Sequence, residues 1–204
     1  PVNFNDLKAF GNNNFCLELD DLSLVLDWIE NCHELVGEID ISKISLFGHS
    51  RGGSIAMLKS AEDSRVSKVV SWASPSNFLD KLPKKEKLAK WKKLGVAYVY
   101  NGRTKQNMPM FYQFYENCKK FANRLNIQNA VSMISIPHLL VHGSEDSTVL
   151  LCEAENIISW SKNAQLHVID GSNHVLGGFH PYDLDKFPQD LQEAIDITII
   201  FLKA

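Results

Sequence analysis

The chain has 204 residues, 45% of them hydrophobic and 22% charged, with a formal net charge of −3. That balance belongs to one large folded domain or two small ones and excludes a disordered chain or a fibrous repeat. The chain as a whole has no basic excess to neutralise a nucleic-acid backbone, and no apolar run reaches the roughly 18 to 20 residues of a membrane span, so neither a nucleic-acid partner nor a membrane span is expected.

Residues 1–16 are polar, with Asn12, Asn13 and Asn14 in a row, and read as a loop. Leu19, Leu22, Val25, Leu26 and Ile29 recur at helical spacing and predict a helix over about 17–36, closed by Gly37. Residues 41–47 read as a short apolar strand, 48–53 as a tight turn and 54–61 as a helix. Further strands are expected at 66–73, 136–142 and 165–170, and helices at 151–161 and about 188–203. Strands alternating with helices predict an α/β fold with a mostly parallel sheet.

Residues 76–130 break the rhythm. Lys81, Lys84, Lys85, Lys87, Lys90, Lys92 and Lys93 crowd one stretch, which reads as a solvated helix face. Residues 96–100 read as a strand entering a turn at Asn101-Gly102, and 109–125 as a helix bearing Phe111, Tyr112, Phe114, Tyr115 and Phe121. The segment reads as an insertion laid over the end of the sheet. Cys16, Cys32, Cys118 and Cys152 show no CxxC and no metal spacing, so they read as free thiols in a reducing, cytoplasmic compartment. The seven His form neither HxH nor HExxH, and no metal or cofactor is expected.

The strongest chemical signal is Gly48-His49-Ser50-Arg51-Gly52, a G-x-S-x-G directly between an apolar strand and a small-residue helix. A serine on so sharp a turn has a strained backbone. Its neighbours two before and two after, Gly48 and Gly52, are expected to lack bulk for steric reasons. The turn would project the Ser50 hydroxyl above the sheet and leave the Arg51 backbone N–H at a helix N-terminus, where it can donate to an oxyanion.

A serine hydroxyl needs a base to take its proton, and the base needs a carboxylate to orient it. Asp146 follows one strand in His142-Gly143-Ser144-Glu145-Asp146, and His174 follows the next in Asp170-Gly171-Ser172-Asn173-His174. Both are loop positions at the C-terminal ends of strands, where an open α/β sheet builds its site. Glu145 and Asp170 compete with Asp146 for the acid, and His180 competes with His174 for the base. His138 and His167 lie within strands and read as packed or edge residues, and His49 and His142 flank the site.

The set GHSRGG, HGSED and GSNH resembles the α/β-hydrolase superfamily, more narrowly its peptidase-like and dienelactone-hydrolase-like branch, over most of the chain from residue 17 onward. The resemblance implies Ser50 as nucleophile, Asp146 as orienting acid, His174 as base and no cofactor. It also implies a hydrolase core over 1–75 and 131–204, with a cap over 76–130. The implied activity is serine hydrolysis of a carboxylic ester, thioester or amide, on a small-molecule or peptide acyl substrate. A non-catalytic binding or scaffold protein on the same fold and an acyltransferase with the same residues are the alternatives. The chain departs from the family in one respect: only 49 residues precede Ser50, too few for the family's earlier strands and the loop that gives a second oxyanion donor. The expectation is an N-terminally incomplete fold whose strand 41–47 has an open edge, where a second copy of the chain would pair.

Overall fold

The computed structural model describes residues 3–35 and 37–204. In chain order the elements are α1 (Leu7–Asn12), α2 (Phe15–Asn31), β1 (Ile44–His49), α3 (Arg51–Glu62), β2 (Val66–Trp72), α4 (Lys85–Leu94), β3 (Val96–Asn101), β4 (Gln106–Phe111), α5 (Gln113–Lys120), α6 (Ile127–Met133), β5 (His138–Gly143), α7 (Leu151–Trp160), β6 (Ala164–Ile169) and α8 (Gln189–Lys203). They fall into two compact units, one of Pro1–Asp21 with Phe78–Leu125 and one of Leu22–Asn77 with Asn126–Ala204. The sequence reading groups residues up to 21 with the core and begins the insertion at 76; the structure clusters the N-terminal residues with 78–125.

The larger unit is a four-stranded sheet in the order β1-β2-β5-β6, parallel throughout. Its strands are the Val- and Leu-rich runs expected of a parallel sheet covered on both faces. Alternation along β2 and β5 assigns those faces. Val70, Trp72, Leu139 and Val141 look one way, into a cluster completed by Ile169, Leu176 and Ala194, against which Leu191, Ile195 and Phe201 of α8 pack. Trp72 Nε1–H there donates to Thr198 Oγ1 at 3.0 Å. Ser71 looks the other way, toward α3, where a Cβ on Gly53 would lie 3.0 Å from its own Cβ. The register pairs His49 with Trp72, Trp72 with Val141 and Gly143 with Ile169, so the loops after β1, β5 and β6 all leave from the same edge.

The smaller unit is built around the antiparallel pair β3–β4, with Val96 opposite Phe111 and Asn101 opposite Gln106. Phe15 stacks on Phe78 with centroids 4.0 Å apart and meets Phe114 edge-on at 4.9 Å. Asn14 Nδ2 donates to Gln113 Oε1 at 2.9 Å, and Gln113 Nε2 donates to Asn13 O at 3.0 Å. These contacts tie the N-terminal residues to the insertion.

Several elements differ from expectation. Residues 7–12 form α1 rather than loop, because the Asp6 side chain accepts from Ala9 N–H at 2.8 Å. α2 stops at Asn31, whose side chain takes the Asp27 carbonyl at 2.7 Å, and a 3-10 turn follows at His33–Leu35. Gly37, with φ +86°, therefore does not cap α2, and Val36 lies outside the described residues. Residues 41–43 form a 3-10 turn capped by Asp40, so β1 starts later and continues through Gly48 and His49. The helix expected over 109–125 gives its first residues to β4, where Pro109 pairs with Tyr98, and α5 begins at Gln113. α6 is a helix that the sequence does not predict; Asn126 caps it by accepting from Asn129 N–H at 2.9 Å. All four cysteines are free. Among the described residues no helix is long and apolar enough to cross a membrane.

His138 on β5 is fully buried, with Nε2 3.0 Å from Ser71 Oγ and Nδ1 without a hydrogen-bond partner among the described residues. Burial pushes its pKa down from 6.5 to about 4. The unfolded chain thus binds this proton first as pH falls, and stability is expected to decline between pH 6.5 and about 4. The full loss is about 3 kcal/mol. Urea unfolding at stepped pH measures it, and His138→Gln is expected to remove this part of the slope.

Candidate active site

Ser50 sits where β1 becomes α3. Its N–H donates to Trp72 O at 2.7 Å and so extends the β1–β2 ladder by one rung. The backbone then turns at φ +54°, ψ −127°, and the helix begins at Arg51. Gly53 N–H and Ser54 N–H both bond to Ser50 O, at 3.0 and 3.4 Å, which ties the turn to the first turn of the helix. The Ser50 side chain makes no capping bond. Arg51, named for its backbone N–H, is the first residue of α3, at the positive end of the helix dipole.

Steric crowding singles out Gly48 and Gly53 rather than Gly48 and Gly52. A Cβ on Gly48 would lie 2.2 Å from Gly52 O and 2.5 Å from Gly53 N. One on Gly53 would lie 1.9 Å from Ser74 Oγ and 2.8 Å from Gly48 O, whereas one on Gly52 would meet nothing within 4 Å. The helix turns Gly53, not Gly52, onto the sheet. Gly52→Ala is therefore expected to raise stability slightly, by up to about 1 kcal/mol, since alanine is the better helix former. Gly48→Ala and Gly53→Ala are expected to lower it by about 3 kcal/mol. Thermal unfolding of the three variants separates these outcomes.

The loops after β5 and β6 are locked to each other. A Cβ on Gly143 would lie 2.3 Å from Ser172 O, so only glycine permits this approach. Ser144 Oγ donates to Asp170 Oδ1 at 3.1 Å and accepts from Gly171 N–H at 2.7 Å, and Glu145 N–H donates to Ser172 O at 2.9 Å. Asp170 is thus the carboxylate that closes this turn. Glu145 is exposed, as is His180.

Asp146 is buried, 3% exposed. Its Oδ1 accepts from the N–H groups of Thr148 and Val149, both at 2.8 Å, and its Oδ2 accepts from His174 Nδ1 at 2.7 Å. Burial opposes the carboxylate charge, but the bonds from Val149, His174 and Thr148 outweigh it and hold the pKa below the ordinary value. His142 supports the loop from inside: Nε2–H donates to Val149 O at 2.8 Å and lies 3.5 Å from Asp146 Oδ2. An ionised carboxylate only accepts, so the His174 proton resides on Nδ1 and the Nε2 lone pair faces outward. That Nε2 is 3.1 Å from Ser50 Oγ. The structure thus brings Ser50, His174 and Asp146 into one hydrogen-bonded series, and leaves Glu145, Asp170 and His180 out of it.

Two histidines that the sequence placed only as flanking have defined positions. His142 holds the acid loop as described. His49 Nε2–H donates to the His174 carbonyl at 2.8 Å, and the two rings are 4.8 Å apart. Desolvation outweighs that carbonyl bond and lowers the His49 pKa, which favours the neutral donor form. The sequence signals were slight: each histidine precedes a functional loop, and Gly143 marks the close approach.

No protein-family model matches the sequence, and no curated protein matches it. Solved structures do. The esterase domain of a Rhodothermus marinus protein is 21% identical, with a TM-score of 0.57 over 82% of this chain and 63% of that one. Est1E from Butyrivibrio proteoclasticus, solved with ferulic acid bound, is 17% identical, with a TM-score of 0.66 over 93% and 69%. A monoacylglycerol lipase from Paleococcus ferrophilus is 14% identical, with a TM-score of 0.65 over 95% and 77%. The chain therefore spans 63% to 77% of the length of these proteins. These likenesses cover 82% to 95% of this chain, and with its parallel sheet and strand-to-helix turn at Ser50 they show the α/β-hydrolase fold.

Proposed function

We propose that the protein is a serine hydrolase acting on a carboxylic ester, thioester or amide of a small molecule or peptide. The observation that carries this reading is the unbroken series from Asp146 Oδ2 through His174 to Ser50 Oγ, with bonds of 2.7 and 3.1 Å. Esterases and a lipase among the structural neighbours support hydrolysis as the reaction class.

In this reading Ser50 Oγ attacks the substrate carbonyl carbon as its proton passes to His174 Nε2. Asp146 stabilises the imidazolium through Nδ1–H. The oxyanion that forms is held in part by the Arg51 backbone N–H at the start of α3. Collapse breaks the bond to the leaving group, which takes the proton from Nε2, and an acyl-Ser50 ester remains. Water then attacks that ester as its proton passes to His174 Nε2, and collapse breaks the bond to Ser50 Oγ, which takes that proton back and leaves the free acid.

A fluorophosphonate probe with peptide mass spectrometry tests this. The expected adduct is on Ser50, at a rate at least about a thousandfold lower in His174→Ala, since the base is what makes the hydroxyl reactive. Absence of an adduct on Ser50 would overturn the reading.

A further inference from the structure

The charge of the chain is divided unevenly. Residues 78–125 carry twelve Lys and Arg against three Asp and Glu, a net of +9, while the remaining residues carry nine against twenty-one, a net of −12. Seven of those twelve are lysines within 81–93, on or beside α4, and all seven are exposed. Ten of the twelve are Lys and two are Arg. Arginine is suited to fixed bidentate pairing, whereas lysine is a flexible point charge suited to a diffuse anionic surface.

The side of α4 that bears Lys87 and Lys90 also carries unburied apolar side chains. Lys87, Lys90 and Leu94 recur along one side of α4, and with Trp91, Val96 and Tyr98 they line an open groove of about 440 Å³. Leu94 is 58% exposed, Tyr98 64% and Tyr100 63%, so β3 and the end of α4 leave contiguous apolar surface to water. Lysine heads beside leucine and tyrosine rings combine the two attractions that seat a protein on a charged bilayer: charge at the headgroups and apolar burial just below them. Tyrosine suits that boundary, with an apolar ring and a polar tip.

We propose that the α4–β3 face is a docking surface for anionic lipid bilayers. Attraction to the membrane charge brings α4 to the surface, and Leu94 and Tyr98 enter the boundary between headgroups and acyl chains. The element lies on the bilayer and does not cross it. The inference does not depend on the hydrolase reading, and Ser50→Ala is expected to bind vesicles as the native chain does.

Sedimentation of the full chain with phosphatidylcholine vesicles, with and without about one-third phosphatidylserine, tests this. Partitioning onto the phosphatidylserine vesicles is expected to exceed that onto phosphatidylcholine alone by at least about tenfold and to fall steeply with salt. Lys87→Glu with Lys90→Glu is expected to weaken it by at least about tenfold, and Lys92→Glu with Lys93→Glu, on other sides of α4 from Leu94, to weaken it less. Leu94→Ser with Tyr98→Ser is expected to weaken it by about tenfold at unchanged charge. Far-UV circular dichroism checks that each variant is folded. No binding to either vesicle, or equal binding to both, would overturn the proposal. So would soluble polyglutamate binding as tightly as the vesicles with Leu94 and Tyr98 irrelevant, which would identify an acidic polypeptide as the partner.

Discussion

Replacing Ser50 with glycine is expected to abolish hydrolysis and to raise the unfolding temperature. Ser50 holds φ at +54° with ψ at −127°, a conformation that crowds any Cβ and costs about 1–2 kcal/mol. The residue is fixed there from three sides: its N–H is bound to Trp72 O, its carbonyl receives Gly53 and Ser54, and the tight pair Gly48 and Gly53 leaves the turn no other path. Glycine relieves the crowding and gives back part of the gain through the greater freedom of the unfolded chain, about 0.5–1 kcal/mol. The net is about 1 kcal/mol, or about 2–4 °C for a chain of this size. Ser50→Ala is the control. It removes the same hydroxyl, so both variants are expected to lose on the order of a millionfold in kcat, yet only the glycine variant gains stability. Calorimetry of the two reads the strain directly. A glycine variant no more stable than the alanine variant would mean that the turn stores no strain.

The site was legible in the sequence where a local pattern sufficed. G-x-S-x-G between an apolar strand and a small-residue helix pointed to Ser50, and chain order pointed to Asp146 and His174 after the neighbouring strands β5 and β6. What the sequence could not show was direction. Gly52 and Gly53 are adjacent in the same helix, and only the rotation of α3 against β2 decides which faces Ser71 and Ser74. His49 and His142 acquire their positions from carbonyls 125 and 7 residues away, the first a contact no local pattern encodes. In the fold, the apolar strands were legible, and in the insertion the lysine-rich helix and the strand before Asn101-Gly102 were, but β4 was not. Pro109 reads as a helix start, but its partner across the hairpin is Tyr98, and pairing overrode the aromatic spacing that suggested a helix. α1 was hidden for a different reason: it is six residues long and rests on one Asp6 cap rather than on an apolar stripe.

Asp146→Asn is expected to leave the fold intact and to lower kcat about ten-thousand-fold. Asparagine has the same shape, and its carbonyl oxygen can keep both bonds from Thr148 and Val149, at 2.8 Å in the native protein. Its amide NH₂ then occupies the place of Oδ2, 2.7 Å from His174 Nδ1. An amide nitrogen only donates, so His174 must present a lone pair on Nδ1 and carry its proton on Nε2. The nitrogen 3.1 Å from Ser50 Oγ is then already protonated and cannot act as base. Stability carries an independent signature. The Asp146 pKa lies below its ordinary 3.8, so its contribution is fully present above that value and is lost as pH falls through the lowered pKa. The asparagine variant is expected to lack that acid-limb loss in urea unfolding, being less stable than the native chain near neutral pH and converging with it as pH falls through the lowered Asp146 pKa. Glu145→Gln and Asp170→Asn decide among the three carboxylates. Glu145 is exposed and Asp170 bonds Ser144 rather than His174, so each is expected to keep kcat within about tenfold of native. An Asp146→Asn protein as active as these two would mean that His174 is oriented by something other than the buried carboxylate behind it.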